Sequence, residues 1–149
     1  MSSFIRTQAS SAFYITSCTQ YVLIKKFHWQ DILDTCKFWE EELRLANKGK
    51  LFGCVFSSPK GDNITGLMAD HSYSVLRAVE YEDKRFIVLR NPWGNSEWTG
   101  PWSDGSKEWK ASIVDGMLKA LGHEFGDDGQ FVMECQSFSQ AACVLRLLI

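Results

Sequence analysis

Two residues twenty positions apart, His71 and Asn91, carry the most legible chemistry in this chain. An imidazole can take the proton of a thiol and hold the resulting thiolate beside it as an ion pair. A side-chain amide oxygen can fix which ring nitrogen bears hydrogen and so leave the other free to act. His71 and Asn91 therefore offer two members of a Cys-His-Asn site, and the third, a reactive cysteine, has to be found. Taken alone, the pair also reads as a surface imidazole and a turn-forming Asn-Pro step.

The flanking segments decide whether the two side chains can meet. His71 to Tyr81 reads as a strand with Tyr73, Val75 and Val79 on one alternation. Lys84 to Arg90 reads as a second, with Phe86, Ile87, Val88 and Leu89 in one apolar run. Only Glu82 and Asp83 separate them, which predicts an antiparallel hairpin. A turn there pairs positions whose numbers sum to about 163–165. His71 then faces residues 92–94 and lies one diagonal step from Asn91.

Around the hairpin, residues 31–48 read as an amphipathic helix with Ile32, Cys36, Trp39 and Leu43 on its apolar stripe, ended by Gly49. Leu51 to Ser57 reads as a short buried strand, followed by a turn-prone Ser57–Asn63 stretch. Past Pro92, Trp93, Trp98, Trp102 and Trp109 alternate with Gly94, Gly100 and Gly105. That texture is loop-like yet too aromatic for a disordered linker. A short helix is expected within 111–122, a strand at Gln130–Met133, and a closing strand or helix at Ala141–Ile149. The expected fold class is α+β: an antiparallel, barrel-like sheet with a few helices, spanning 28–149 after an undefined lead-in at 1–27.

A length of 149 residues suits one domain with a real core. A net charge of −2 argues against a nucleic-acid partner, and no apolar run reaches the length of a membrane-spanning helix. The five cysteines, at positions 18, 36, 54, 135 and 143, form no CxxC pair and no zinc spacing. An odd number without framework spacing fits a reducing compartment, so a cytoplasmic location is expected.

The wider motif is more specific than the pair. Gly66-Leu67-Met68-Ala69-Asp70-His71-Ser72-Tyr73-Ser74-Val75, then Leu89-Arg90-Asn91-Pro92-Trp93-Gly94-Asn95-Ser96-Glu97-Trp98-Thr99-Gly100, closely resembles the calpain family of calcium-dependent, papain-like cysteine proteases. The likeness continues through Trp102-Ser103-Asp104 and Asp127-Asp128-Gly129-Gln130-Phe131, reaches back to Leu51-Phe52-Gly53-Cys54, and covers residues 30–146. The family's catalytic core has two halves, one with the nucleophilic Cys and one with the His and Asn. This chain looks like the second half.

That resemblance makes His71 the general base, Asn91 its orienting partner and Trp93 a cleft-side gating residue. It implies intracellular limited proteolysis of protein substrates and a bound calcium. Glu97, Asp104 and Asp128 match carboxylate ligands, and Gly126 matches a backbone-oxygen ligand. Gln130 stands where the family usually has an acid, so weaker calcium binding is expected.

The family's nucleophile sits in a Gln-x-x-x-Gly-Asp-Cys-Trp-type stretch at a helix start, and no such stretch occurs in these 149 residues. None of the five cysteines is assigned as nucleophile. Two readings follow. The chain is the His/Asn half of an endopeptidase whose partner is the missing Cys-bearing half-domain, and is inactive alone. Alternatively it is a catalytically inactive calpain-like module that binds calcium or a partner, or a truncated fragment.

Overall fold

The computed structural model describes residues 23–28, 39–40, 43–56 and 65–148. Its centre is a six-stranded sheet: β1 (Leu23–His28), β2 (Leu51–Phe56), β3 (Ser72–Tyr81), β4 (Lys84–Arg90), β5 (Gln130–Glu134) and β6 (Ala142–Leu148). The strands lie in the order β1-β6-β2-β3-β4-β5, and every neighbouring pair is antiparallel. Among the described residues, the helices α1 (Val114–Leu121) and α2 (Cys135–Ala141) complete the α+β architecture expected from the sequence. The closing segment is a strand, inserted between β1 and β2. β1 runs across residue 27, where the sequence suggested the end of a lead-in.

The predicted hairpin forms. Glu82 and Asp83 adopt φ of 46° and 62°, the pair of left-handed residues that a two-residue turn needs to match the strand twist. The turn sets Tyr81 opposite Lys84 and, farther along, Ser74 opposite Arg90. A bulge between Val75 and Arg77 shifts the register on the way. It also breaks the expected alternation. Tyr73 and Val75 face one side of the sheet, but beyond the bulge Ala78 takes that face and Val79 turns to the other.

At β4 both faces of the sheet are covered, which explains the continuous apolar run of that strand. Ile87 and Leu89 join Phe52, Phe56, Tyr73, Phe131, Met133 and, from α2, Phe138. Phe86 and Val88 join Met117 and Leu121 of α1, together with Trp102. Each such buried side chain stabilises the fold by about 1.5–3 kcal/mol relative to an exposed one. Strand β2 is buried on one face only: Phe52, Cys54 and Phe56 point inward while Leu51 is exposed.

The helix expected over 31–48 does not reach its predicted end. Trp39 and Glu40 are helical, but Leu43–Leu45 is a single 3-10 turn, and Ala46 bridges to Lys50. Asn47 (φ 58°) and Gly49 (φ 119°) turn the chain back, closed by the Asn47 N–H donating to Lys50 O at 2.8 Å. The reversal lets Asn47 Nδ2 donate to Leu76 O at the β3 bulge, 2.9 Å away. Ile32, Cys36 and the Ser57–Asn63 turn lie outside the described residues.

Candidate active site

His71 immediately precedes β3, and Asn91 immediately follows β4. The hairpin register therefore carries the two to the same end of the sheet. His71 Nε2 and Asn91 Oδ1 are 2.9 Å apart. The turn leading into His71 is pinned from three directions. Thr99 N–H donates to Thr65 O, Asp70 N–H donates to Phe56 O, and Met68 N–H donates to the Tyr73 hydroxyl, all within 2.8–2.9 Å.

Asn91 is fully buried, and its surroundings fix the orientation of its amide. Its Nδ2 donates to the carbonyls of Asn95 (2.6 Å) and Ser96 (3.2 Å), which can only accept. Its Oδ1 accepts the Trp93 N–H at 3.1 Å. The atom facing His71 is therefore an oxygen, and Nε2 must bring the hydrogen. In the neutral ring that leaves the Nδ1 lone pair as the basic site. Asn91's own backbone is satisfied too: its N–H donates to Gly129 O at 2.8 Å and its carbonyl accepts Gly94 N–H at 3.0 Å.

Two rings hold the imidazole. Tyr73, buried in the core, meets it edge to face with centroids 5.0 Å apart. Trp93 stacks on it at 4.2 Å with a 40° tilt. Trp93 is 56% exposed, so the indole covers the imidazole from the solvent side and is not a core residue. Trp98 and Trp102, by contrast, are buried, each in one of the two cores. Tyr73's part in holding His71 was missed from the sequence. Its place two residues after the histidine, on the inward alternation, was the available signal.

Neither Cys54 nor Cys135 has the character of a nucleophile. Cys54 is fully buried in β2. Burial pushes the Cys135 thiol up to about 11, with Arg85 pulling it down and Glu134 pushing it up by smaller amounts. Such a thiol is almost wholly protonated near neutral pH.

The acids implied as calcium ligands lie on two loops in contact. Glu97 and Asp104 belong to the stretch after Asn91, while Gly126, Asp128 and Gln130 belong to the stretch before β5. Glu97 Oε1 accepts the N–H groups of Asp128 (3.1 Å) and Gly129 (2.8 Å) across the gap. Asp104 meets His123 Nε2 at 2.7 Å through one oxygen and accepts Gly126 N–H at 2.9 Å through the other. Asp128 accepts the backbone N–H of Gln130 at 2.8 Å and its Nε2 at 3.2 Å. Burial is the main reason the Glu97 carboxyl lies above its ordinary range. The Gly129 N–H opposes the rise, and the nearby charges of Asp104 and Asp127 add to it. The oxygen donors suit a hard cation chemically. In this arrangement, however, no three His, Cys, Asp or Glu side chains converge on one ion among the described residues. His123 gave no warning in the sequence, because an isolated Gly-His-Glu has no spacing that points to Asp104.

The family model for calpain family cysteine proteases matches residues 9–146. The chain is 37% identical to Calpain-9 of Rattus norvegicus over 110 residues, 68% of this chain and 16% of that protein. It is 38% identical to a calpain-type cysteine protease of Arabidopsis thaliana over 108 residues, 68% of this chain and 5% of that protein. It is 42% identical to Calpain-13 of Rattus norvegicus over 79 residues, 50% of this chain and 12% of that protein. The chain thus spans a minor part of the curated relatives it matches. A family match over most of its length, and a hairpin that joins His71 to Asn91, place this chain in the calpain family of cysteine proteases.

Proposed function

We propose that this chain supplies the general base and its orienting amide to a calpain-like endopeptidase, with the thiol contributed by a Cys-bearing half-domain outside these residues. The observation that carries the reading is the His71 Nε2–Asn91 Oδ1 contact, which leaves Nδ1 as the basic nitrogen. In the assembled site, His71 Nδ1 takes the thiol proton and the thiolate attacks a peptide carbonyl. The imidazolium, held by Asn91, returns its proton to the leaving amine as the tetrahedral adduct collapses to a thioester. Water, deprotonated by the same nitrogen, then hydrolyses the thioester. Trp93 lies over the imidazole and gates the approach of the other half. On this reading the chain alone does not hydrolyse peptides, and protein substrates are met only in the assembled cleft.

Calcium enters this proposal as a weak ligand of Glu97, Asp104, Asp128, the Gly126 carbonyl and the Gln130 amide oxygen. The carboxylates of Asp104 and Asp127 beside Glu97 support a cation-seeking locus. Bound there, calcium would neutralise the loop acids. The site is weak because these acids already hold protein donors.

The test is a fusion of a calpain Cys-bearing half-domain ahead of the full chain. The fusion is expected to cleave a fluorogenic peptide in a manner blocked by a cysteine-directed covalent inhibitor. His71→Ala should lower kcat by about 10²–10⁴-fold. A folded fusion with no hydrolysis, or one indifferent to His71→Ala, would contradict the proposal.

A further inference from the structure

We infer that His123 and Gln130 organise the loop pair that positions Asn91, giving its acids protein donors in the place a cation would otherwise take. The two loops are close enough for backbone contact. A Cβ built at Gly129 would fall 2.8 Å from Gly94 Cα and 2.9 Å from Asn91 O, so the 123–130 loop is the floor on which the Asn91 loop rests. Four acids, Glu97, Asp104, Asp127 and Asp128, sit at this junction, and like charges there would drive the loops apart.

Three of them, Glu97, Asp104 and Asp128, are answered from within the chain. Glu97 is answered by two backbone N–H groups, those of Asp128 and Gly129. Asp104 is answered by Gly126 N–H and by His123 Nε2. Asp128 is answered by the N–H and the Nε2 of Gln130. Because Asp128 carries only acceptors, the Gln130 amide turns its nitrogen toward it.

His123 is built into place. Gly122, at φ 60°, ends α1 with its N–H on Lys119 O (3.2 Å), and the His123 N–H closes the turn on Leu118 O at 3.1 Å. Arg77 clamps the same turn, donating to Leu121 O at 2.8 Å and Gly122 O at 2.7 Å. The imidazole is buried, so its bond to Asp104 is shielded from water and stronger than a surface contact.

The consequence is that Asn91, and through it His71, holds position without calcium. Added calcium must displace His123 from Asp104 and Gln130 from Asp128. The inference uses the His71–Asn91 reading for its meaning, but its test does not depend on hydrolysis. Failure of the fusion enzyme would leave it standing.

The experiment measures hydrogen exchange of the Asn91 side-chain amide by NMR in the full chain, in excess EGTA and in excess calcium chloride. The wild-type rate is expected to agree within about twofold between the two conditions. In EGTA, His123→Ala should raise it about tenfold or more, while His123→Gln, which keeps a donor at the Nε2 position, should stay near wild type. Gln130→Glu, a change near the surface that spares the core, should exchange faster in EGTA and recover with calcium. If His123→Ala fails to fold, the Gln130→Glu result decides. A wild-type amide protected only in calcium would overturn the inference, as would a Gln130→Glu chain indistinguishable from wild type in EGTA.

Discussion

The side-chain oxygen of Asn91 lies 2.9 Å from Nε2 of His71, while its amide nitrogen is committed to the carbonyls of Asn95 and Ser96. One buried amide thus ties the β3–β4 hairpin to the loop that follows it. Asn91→Ala would strand the Trp93 N–H and two carbonyls without their partner. The expected cost is about 1–3 kcal/mol in chemical denaturation. In the fusion enzyme kcat should fall by about 10²-fold, because the imidazole loses its orientation.

Gly129→Ala should be more disruptive than its size suggests. Gly129 adopts φ +85°, and an added methyl would meet the backbone of Gly94 and Asn91. Left-handed strain alone costs about 1 kcal/mol, and the loops must also separate. Thermal unfolding is expected to shift down, with loss of the Asn91 N–H to Gly129 O bond visible as faster exchange of that backbone amide.

Cys135 should behave as an inert thiol. With its pKa pushed up to about 11, its thiolate fraction near neutral pH is about two orders of magnitude below that of an ordinary cysteine. Iodoacetamide labelling followed by mass spectrometry is expected to find slow modification at pH 7.5, rising about tenfold per pH unit up to pH 10.

Glu97 gives a pH signature. Its folded-state carboxyl titrates above the ordinary glutamate value, chiefly through partial burial. Between that ordinary value and the raised one, the folded chain keeps a proton that the unfolded chain has lost. Stability therefore falls as pH rises through this window, and the full penalty is present above it. Glu97→Gln removes the titration. The stability of the variant relative to wild type, measured by denaturation in EGTA, should rise with pH across the window and then level off.

The hairpin was legible in the sequence because a two-residue polar connector between apolar runs fixes register within a residue or two. The contact between His71 and Asn91 follows from that register. Val79 was placed on the wrong face because one bulged residue inverts every later position, and no residue type near Leu76 announces the bulge. The helix over 31–48 was read too long. Its apolar stripe does continue through Trp39 and Leu43 to buried Ala46, but Asn47 and Gly49 reverse the backbone. The loop acids could be named from the motif. Their donors could not, since His123 reaches Asp104 through a helix-ending turn whose geometry exists only in the folded chain.

The claim on which the account rests is that His71 presents a free basic Nδ1, and the ring nitrogen chemical shifts of His71 in the full chain test it most directly. The neutral ring is expected as the Nε2–H tautomer, with a pyridine-like Nδ1, and Asn91→Ala is expected to lose that preference. A wild-type Nδ1–H tautomer, or a tautomer unaffected by Asn91→Ala, would contradict it.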